Sequence, residues 1–237
     1  MTTSLNTIRR SPRLGAGLVA VLALPVVMGP GKCGFILDFT ETFMITDPFG
    51  SVVLGADDGS VVATEYERNG AMLKRHTFAF EPSLANSEWS VEDGVLTAEA
   101  RCKYDGNCRF DHMFELPLGV GFEITMKDSQ ISLGYIGGDI EVTFLTGWFR
   151  GVRLLSPNTT ITLDKGDVTL DYQIPPETVT VDLGEGNVII EVPVGAYRCA
   201  LIADAGAATT NGVTCDDAAA AVLDVHVKTG DIAVTGV

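Results

Sequence analysis

From Phe122 to Val192 apolar and polar residues alternate with a period of two, in one short run after another. Period two is the signature of half-buried strands, because successive side chains on a strand point to opposite faces. The inward candidates are Phe122, Ile124 and Met126; Ile131 and Leu133; Ile140, Val142 and Phe144; Val152 and Leu154; Ile161 and Leu163; Val168, Leu170 and Tyr172; Val179, Val181 and Leu183; and Val188, Ile190 and Val192. The runs begin about nine residues apart, the length of one strand plus one tight turn. The punctuation between them also repeats. Gly138-Asp139-Ile140, Gly166-Asp167-Val168, Gly186-Asn187-Val188 and Gly230-Asp231-Ile232 share a glycine, an Asp or Asn and a branched apolar residue, with echoes at Gly50-Ser51-Val52 and Gly59-Ser60-Val61. Glycine supplies positive φ without a steric cost and Asx side chains bond nearby backbone, so the motif reads as a turn feeding a strand.

The fold class is therefore all-β. Many short strands with so regular a turn motif favour a β-solenoid or β-helix-like stack, in which no repeat buries its apolar face alone; a β-sandwich is the alternative. The first half is less regular. It reads as an entry strand from 35 to 45, two strands between Val52 and Tyr66, a loop from 78 to 90, and a hairpin from 89 to 101 around Asp93-Gly94. Toward the end, the alanine-rich stretch 203–221 accommodates a brief helical turn at 216–221.

The composition has the material for a core: 46% of the 237 residues are hydrophobic and 20% charged, which excludes a disordered chain. The N-terminus has the parts of a secretory signal: Arg9, Arg10 and Arg13, an apolar run from Leu14 to Met28, then Gly29-Pro30-Gly31. Residues 1–32 are thus a signal peptide or membrane-anchoring segment, and 33–237 a single all-β repeat domain. Cys33 stands where a bacterial lipoprotein carries its lipid-modified cysteine, although Pro30-Gly31-Lys32 precedes it in place of Leu, a small residue and Gly or Ala. It is the candidate lipid-attachment residue, with cleavage without lipid and a retained helix as alternatives.

Of the other four cysteines, Cys102 and Cys108 lie close in sequence, as do Cys199 and Cys215. In an oxidising compartment two local disulfides are the natural pairing, although four cysteines allow three connectivities. Net charge is −15, and residues 33–237 hold 12 bases against 31 acids. A field of that sign repels phosphate backbones, so nucleic acid is not expected as a partner.

Cys102, Cys108 and His112 resemble a metal set only superficially, since disulfide formation competes and the spacing lacks a Cys-x2-Cys knuckle. Gly137-Gly138-Asp139 matches a fragment of a calcium-binding nonapeptide, but the tandem repeat is absent. His76 reads as surface charge and His226 as an exposed strand residue. No P-loop, G-x-S-x-G, H-E-x-x-H or dinucleotide fingerprint occurs, and acids such as Asp57-Asp58 and Asp216-Asp217 sit in polar turns. No catalytic residue, metal or cofactor is expected, and the chain reads as a non-enzyme. One segment has a binding character: in Gly147-Trp148-Phe149-Arg150-Gly151-Val152-Arg153 two aromatics and two arginines fall at a break in the repeat, making Trp148, Phe149, Arg150 and Arg153 a candidate binding patch.

The strand runs and Gly-Asx turns, together with Glu115-Leu116-Pro117, Val192-Pro193 and the terminal Thr229-Gly230-Asp231-Ile232, resemble a bacterial putative-adhesin family of exported or membrane-tethered β-repeat proteins. The resemblance covers 35–237 and implies an envelope location, with no catalytic residues to carry over. The expectation is an exported, lipid- or membrane-tethered envelope protein acting as an adhesion, scaffolding or interaction module toward a protein or surface ligand. The alternative is a self-assembling structural protein whose open end, the strand 231–237, pairs with another chain.

Overall fold

The computed structural model describes residues 22–23, 37–80, 84–104 and 107–237. Apart from Leu22 and Ala23, the N-terminal segment with Cys33 lies outside the described residues. The fold is all-β. Its strands are β1 (Leu22–Ala23), β2 (Leu37–Ile45), β3 (Ser51–Ala56), β4 (Asp58–Glu65), β5 (Ala71–Ala79), β6 (Ala85–Glu92), β7 (Val95–Cys102), β8 (Cys108–Leu116), β9 (Gly121–Thr125), β10 (Asp128–Gly134), β11 (Ile140–Leu154), β12 (Asn158–Tyr172), β13 (Thr178–Glu185), β14 (Val188–Val192), β15 (Ala196–Ala205), β16 (Ala208–Asn211), β17 (Thr214–Cys215), β18 (Val222–Thr229) and β19 (Ile232–Gly236).

Two strand runs joined at a glycine corner make one rung, and neighbouring rungs pair parallel and in register. One column of partners runs Val52, Phe122, Ile140, Thr159, Val179, Leu223, Cys199. A second, beyond the corner, runs Val61, Ile131, Phe149, Val168, Val188, Ile232, Ala208. The unit of repetition is thus two strands rather than one strand and a tight turn; β11 and β12 pass through the corner as single strands of 15 residues each. At the other end β7 and β8 add one more parallel pairing, on β3 and β4, and beyond them the sheets continue into antiparallel strands. β6 closes on β7, while β8, β5, β2 and β1 extend from β4.

Register follows from burial. The predicted inward residues from Phe122 to Val192 belong to the core, except Val152, which is half-buried. A slip by one residue would turn each apolar set to water. The corner is fixed by glycine. Gly147, Gly166, Gly186, Gly230 and Gly206 stack, with Ser129 between Gly147 and Gly59; the six glycines have φ between 130° and 159°, and a Cβ on any of them would lie 1.6–1.9 Å from a carbonyl oxygen of the adjacent strand. Beside them runs an Asx ladder. Asp167 accepts from the Asn187 N–H at 3.0 Å, Asn187 Oδ1 from the Asp231 N–H at 3.1 Å, and Asp231 from the Ala207 N–H at 2.8 Å. Each rung thereby satisfies a backbone donor of the next. At the opposite end of the rungs the buried carboxylate of Glu65 accepts from Gly119 and Val120 N–H at 2.9 and 2.8 Å, fixing that turn, and burial raises its pKa.

Several local expectations are corrected. Residues 85–90 are strand, in β6, rather than loop, because Trp89 and Val91 pack on the core. Strands β5 and β8 had no signal in the turn motif. The alanine-rich stretch holds β16 and β17 and no helix; Asp216 instead makes a turn, accepting from the Ala218 N–H at 2.9 Å through its side chain and from the Ala219 N–H at 3.0 Å through its carbonyl. Strand β19 is not an open end, since it lies between β14 and β16. The chain lays down β15–β16 first and then inserts β18–β19 between that rung and β13–β14.

Disulfides Cys102–Cys108 and Cys199–Cys215 close the two local loops. In the chain-entropy account loops of these lengths stabilise by roughly 2.4 and 3.1 kcal/mol.

Candidate interaction surface

Gly147 stacks on Gly166, so the Gly147-Trp148-Phe149 segment is one more corner of the repeat and not a break in it. The corner's parity then sorts the predicted patch. Phe149 occupies the first inward position, 1% exposed, beside Ile131 and Val168, and belongs to the core. Trp148, 39% exposed, and Arg150 point outward on the same face, as residues two apart on a strand must. Arg153 lies farther along β11, where the strand's register breaks. The register between β11 and β12 shifts between Gly151 and Leu154, and Arg153 there has φ 49° and is exposed. Bulges of this kind re-aim side chains.

Arg153 meets Tyr135, which no motif in the sequence marks out. Its Nη1 donates to the Tyr135 hydroxyl at 2.9 Å, and its guanidinium carbon lies 5.9 Å from the Tyr135 ring centroid. Tyr135, 38% exposed, also has positive φ, at 58°. The third such non-glycine residue described, Asp93, is the tip of the β6–β7 hairpin, where the turn accounts for it. Side-chain residues held at positive φ cost of order 1–3 kcal/mol each and cluster where geometry serves a task. The Arg153 N–H is held by Asp171 at 3.2 Å. Beside Trp148 opens a shallow groove of about 370 Å³ lined by Asp58, Arg109, Asp128, Gln130 and Trp148. The surface therefore offers two aromatic faces, guanidinium donors and flanking carboxylates, the residue types that anchor interfaces.

The other polar candidates have structural roles. Cys102 and Cys108 are joined by their disulfide and His112 is buried between Phe110 and Phe114, so the three do not make a metal set. Burial, with the Arg75 guanidinium nearby, pushes the His112 pKa down to about 3. Arg75 itself bonds Glu41 at 2.7 Å. His76 lies 2.7 Å from Asp38 and 3.6 Å from Asp111; His226 lies 3.0 Å from Asp204 and 3.6 Å from Asp182. Asp57 accepts from the Cys102 N–H at 2.7 Å, and Asp139 from Asn158 at 2.9 Å. Among the described residues, no group of three His, Cys, Asp or Glu side chains gathers to hold a metal ion.

No family model matches the chain, and no curated protein matches it. Among solved structures it is similar to a putative cell adhesion protein from Clostridium sporogenes, at 13% identity and TM-score 0.47, covering 84% of this chain and 100% of that one. It is also similar to a putative adhesin from Bacteroides fragilis, at 12% identity and TM-score 0.41, covering 86% and 98%. A putative lipid binding protein from Parabacteroides distasonis has 13% identity and TM-score 0.33, covering 84% and 96%.

Proposed function

We propose that the protein is an exported bacterial envelope protein, a β-solenoid whose stacked rungs form a stiff scaffold presenting an interaction surface to a protein or surface ligand. The observation that carries this reading is the pairing of Tyr135 with Arg153, both at positive φ, Arg153 lying on the strand that also turns Trp148 and Arg150 outward. Trp148 and Arg150, on the outer face, add nothing to the scaffold's buried core. A contact surface gains flat aromatic area and planar donors that are already positioned, which lowers the ordering cost of binding. The parallel register over seven rungs supports the solenoid, because a sandwich of hairpins pairs its strands antiparallel. The two disulfides fit an oxidising compartment and hence export.

Under this reading residues 1–32 direct export and Cys33 tethers the domain to the membrane. Cys33→Ser should then release the protein from the membrane fraction; a mature mass with an unmodified N-terminus elsewhere would contradict the tether.

The binding surface is tested with protein-coated beads on cell surfaces. Trp148→Ala and the double change Arg150→Glu, Arg153→Glu should each reduce adherence at least about tenfold, the loss of one hot-spot contact, while melting within a few degrees of the parent. Undiminished adherence of both variants would refute the surface.

A further inference from the structure

The groove beside Trp148 is built by the register of three strands. Parallel pairing sets Asp58, Asp128 and Thr146 in one outward row and Ser60, Gln130 and Trp148 in the next, on β4, β10 and β11. Between the rows lie the corner residues Gly59, Ser129 and Gly147, two of which have no side chain, so the rows stand as the banks of a channel that crosses the rungs. Arg109 of β8 comes next to Asp58, since Phe110 is the register partner of Gly59. Its polar groups are held in place: Asp128 accepts from the Thr146 hydroxyl, and Arg109 Nε donates to Asp111 at 2.9 Å. Trp148 is the exposed aromatic ring of the channel. The larger groove of about 610 Å³, between Gly121 and Asn158, has Glu123, Glu141 and Asp139 but no exposed ring, its Phe122 being 3% exposed.

A ligand for this channel has to offer an apolar face to Trp148 and, along its edge, groups that both donate and accept. The carboxylates of Asp58 and Asp128 only accept, Arg109 only donates, and Gln130 does both. An apolar peptide side chain would strip water from these groups and return no hydrogen bond. A pyranose ring meets both demands, because one of its faces is a set of polarised C–H groups drawn to the negative face of an aromatic ring, and its rim carries hydroxyls that each donate and accept. Charge selects further. Two lining carboxylates against one guanidinium already engaged by Asp111, in a chain of net charge −15, repel sialic acid, sulfate and phosphate groups. The geometry points to a neutral glycan laid across the rungs, with a sugar ring on Trp148 and its hydroxyls bonded by Gln130, Asp128, Asp58 and Arg109. At about 370 Å³ the channel has the size of a small-ligand site, and being shallow it takes a stretch of a longer sugar chain rather than an enclosed molecule. This inference rests on the reading of Trp148 as part of an interaction surface and names what that surface binds.

The test is binding of the full chain, purified in mild detergent, to an array of neutral glucose, mannose, galactose and N-acetylglucosamine oligomers and their sialylated or sulfated counterparts, with titration calorimetry on each oligomer that binds. Wild type should bind at least one neutral series and none of the anionic counterparts. Trp148→Ala should weaken that binding at least about tenfold, whereas Trp148→Phe, which keeps a ring face, should retain most of it. Gln130→Ala should weaken it about threefold or more, and Glu141→Gln, in the other groove, should bind like wild type. If Trp148→Ala does not fold, Gln130→Ala carries the test. A wild type that binds no neutral oligomer, equal binding of the anionic counterparts, or a Trp148→Ala protein that binds like wild type would each overturn the proposal. In the bead assay, periodate oxidation of the cell-surface sugars should abolish adherence. Adherence that survives periodate yet is lost in Trp148→Ala would overturn the glycan and leave the interaction surface standing; adherence undiminished in Trp148→Ala and in the double arginine variant would refute the surface and the glycan with it.

Discussion

His112 shows how an apolar repeat absorbs a polar residue and what that costs. On the alternating strand β8 it takes an inward position between Phe110 and Phe114, with neither ring nitrogen hydrogen-bonded among the described residues. Beside the buried Arg75 the neutral ring is the cheaper form, and the folded-state pKa falls to about 3. A pKa depressed on folding means that the unfolded chain binds the proton more tightly. The stability this group contributes is therefore complete above its ordinary pKa of about 6.5 and is lost as pH falls toward 3. At pH 5 the loss is about 2 kcal/mol. His112→Leu should melt less steeply with falling pH than the parent, as read by circular dichroism between pH 7 and 5. Parallel pH profiles would place the histidine outside the core.

At the scale of the strand and its corner, the sequence motif merged two different things. Gly166, Gly186 and Gly230 are corners inside a rung, where one strand run bends into the next, whereas Gly138 and Gly50 precede the first run of a rung. Both kinds set glycine and a polar residue before a branched apolar one, so composition could not separate them, although a Cβ on Gly50 would meet nothing. Gly147 escaped because Trp148 follows it instead of Asp or Asn, and the same substitution produced the apparent break that drew attention to the patch. The patch was thus legible in its residue types. Which of its residues face outward was not, because that depends on the corner's parity. Tyr135 was invisible because its contact with Arg153 arises from a bulge one rung away.

The corner makes a sharp prediction. In Gly166→Ala the new Cβ would lie 1.7 Å from Gly147 O at φ 143°, so backbone must move and the loss should exceed about 3 kcal/mol. Gly94→Ala, in the hairpin turn at φ 78° with open space around it, should cost only about 1 kcal/mol. Urea titration of both variants checks the contrast; equal losses would mean that the glycines do not stack.

At the scale of the molecule, alternation and turn chemistry made the all-β class and most of the core readable. The order of the rungs was not readable, since parallel partners lie far apart in sequence, from Phe122 and Ile140 to Val52 and Phe122, and every rung offers a similar apolar edge to every other. The insertion of β18–β19 ahead of β15–β16 also has a physical basis. Val225 and Val227 can be covered on both sides, while Ala203 of β15, with Ala208 of β16, loses little by ending the stack. Outward residues Glu123, Glu141, Thr160, Thr180, Asp224 and Ala200 occupy successive rungs of one column. Strands stack about 4.8 Å apart, so the backbone separation from Glu123 should be about 19 Å to Asp224 and about 24 Å to Ala200. Pulsed electron paramagnetic resonance between nitroxides at 123 and 224, and at 123 and 200, measures that order directly. A narrow distribution for each pair, with the pair to position 200 longer by about one rung although it is nearer in sequence, is the predicted result; a shorter separation to 200 than to 224, or broad overlapping distributions, would contradict the stacked ladder.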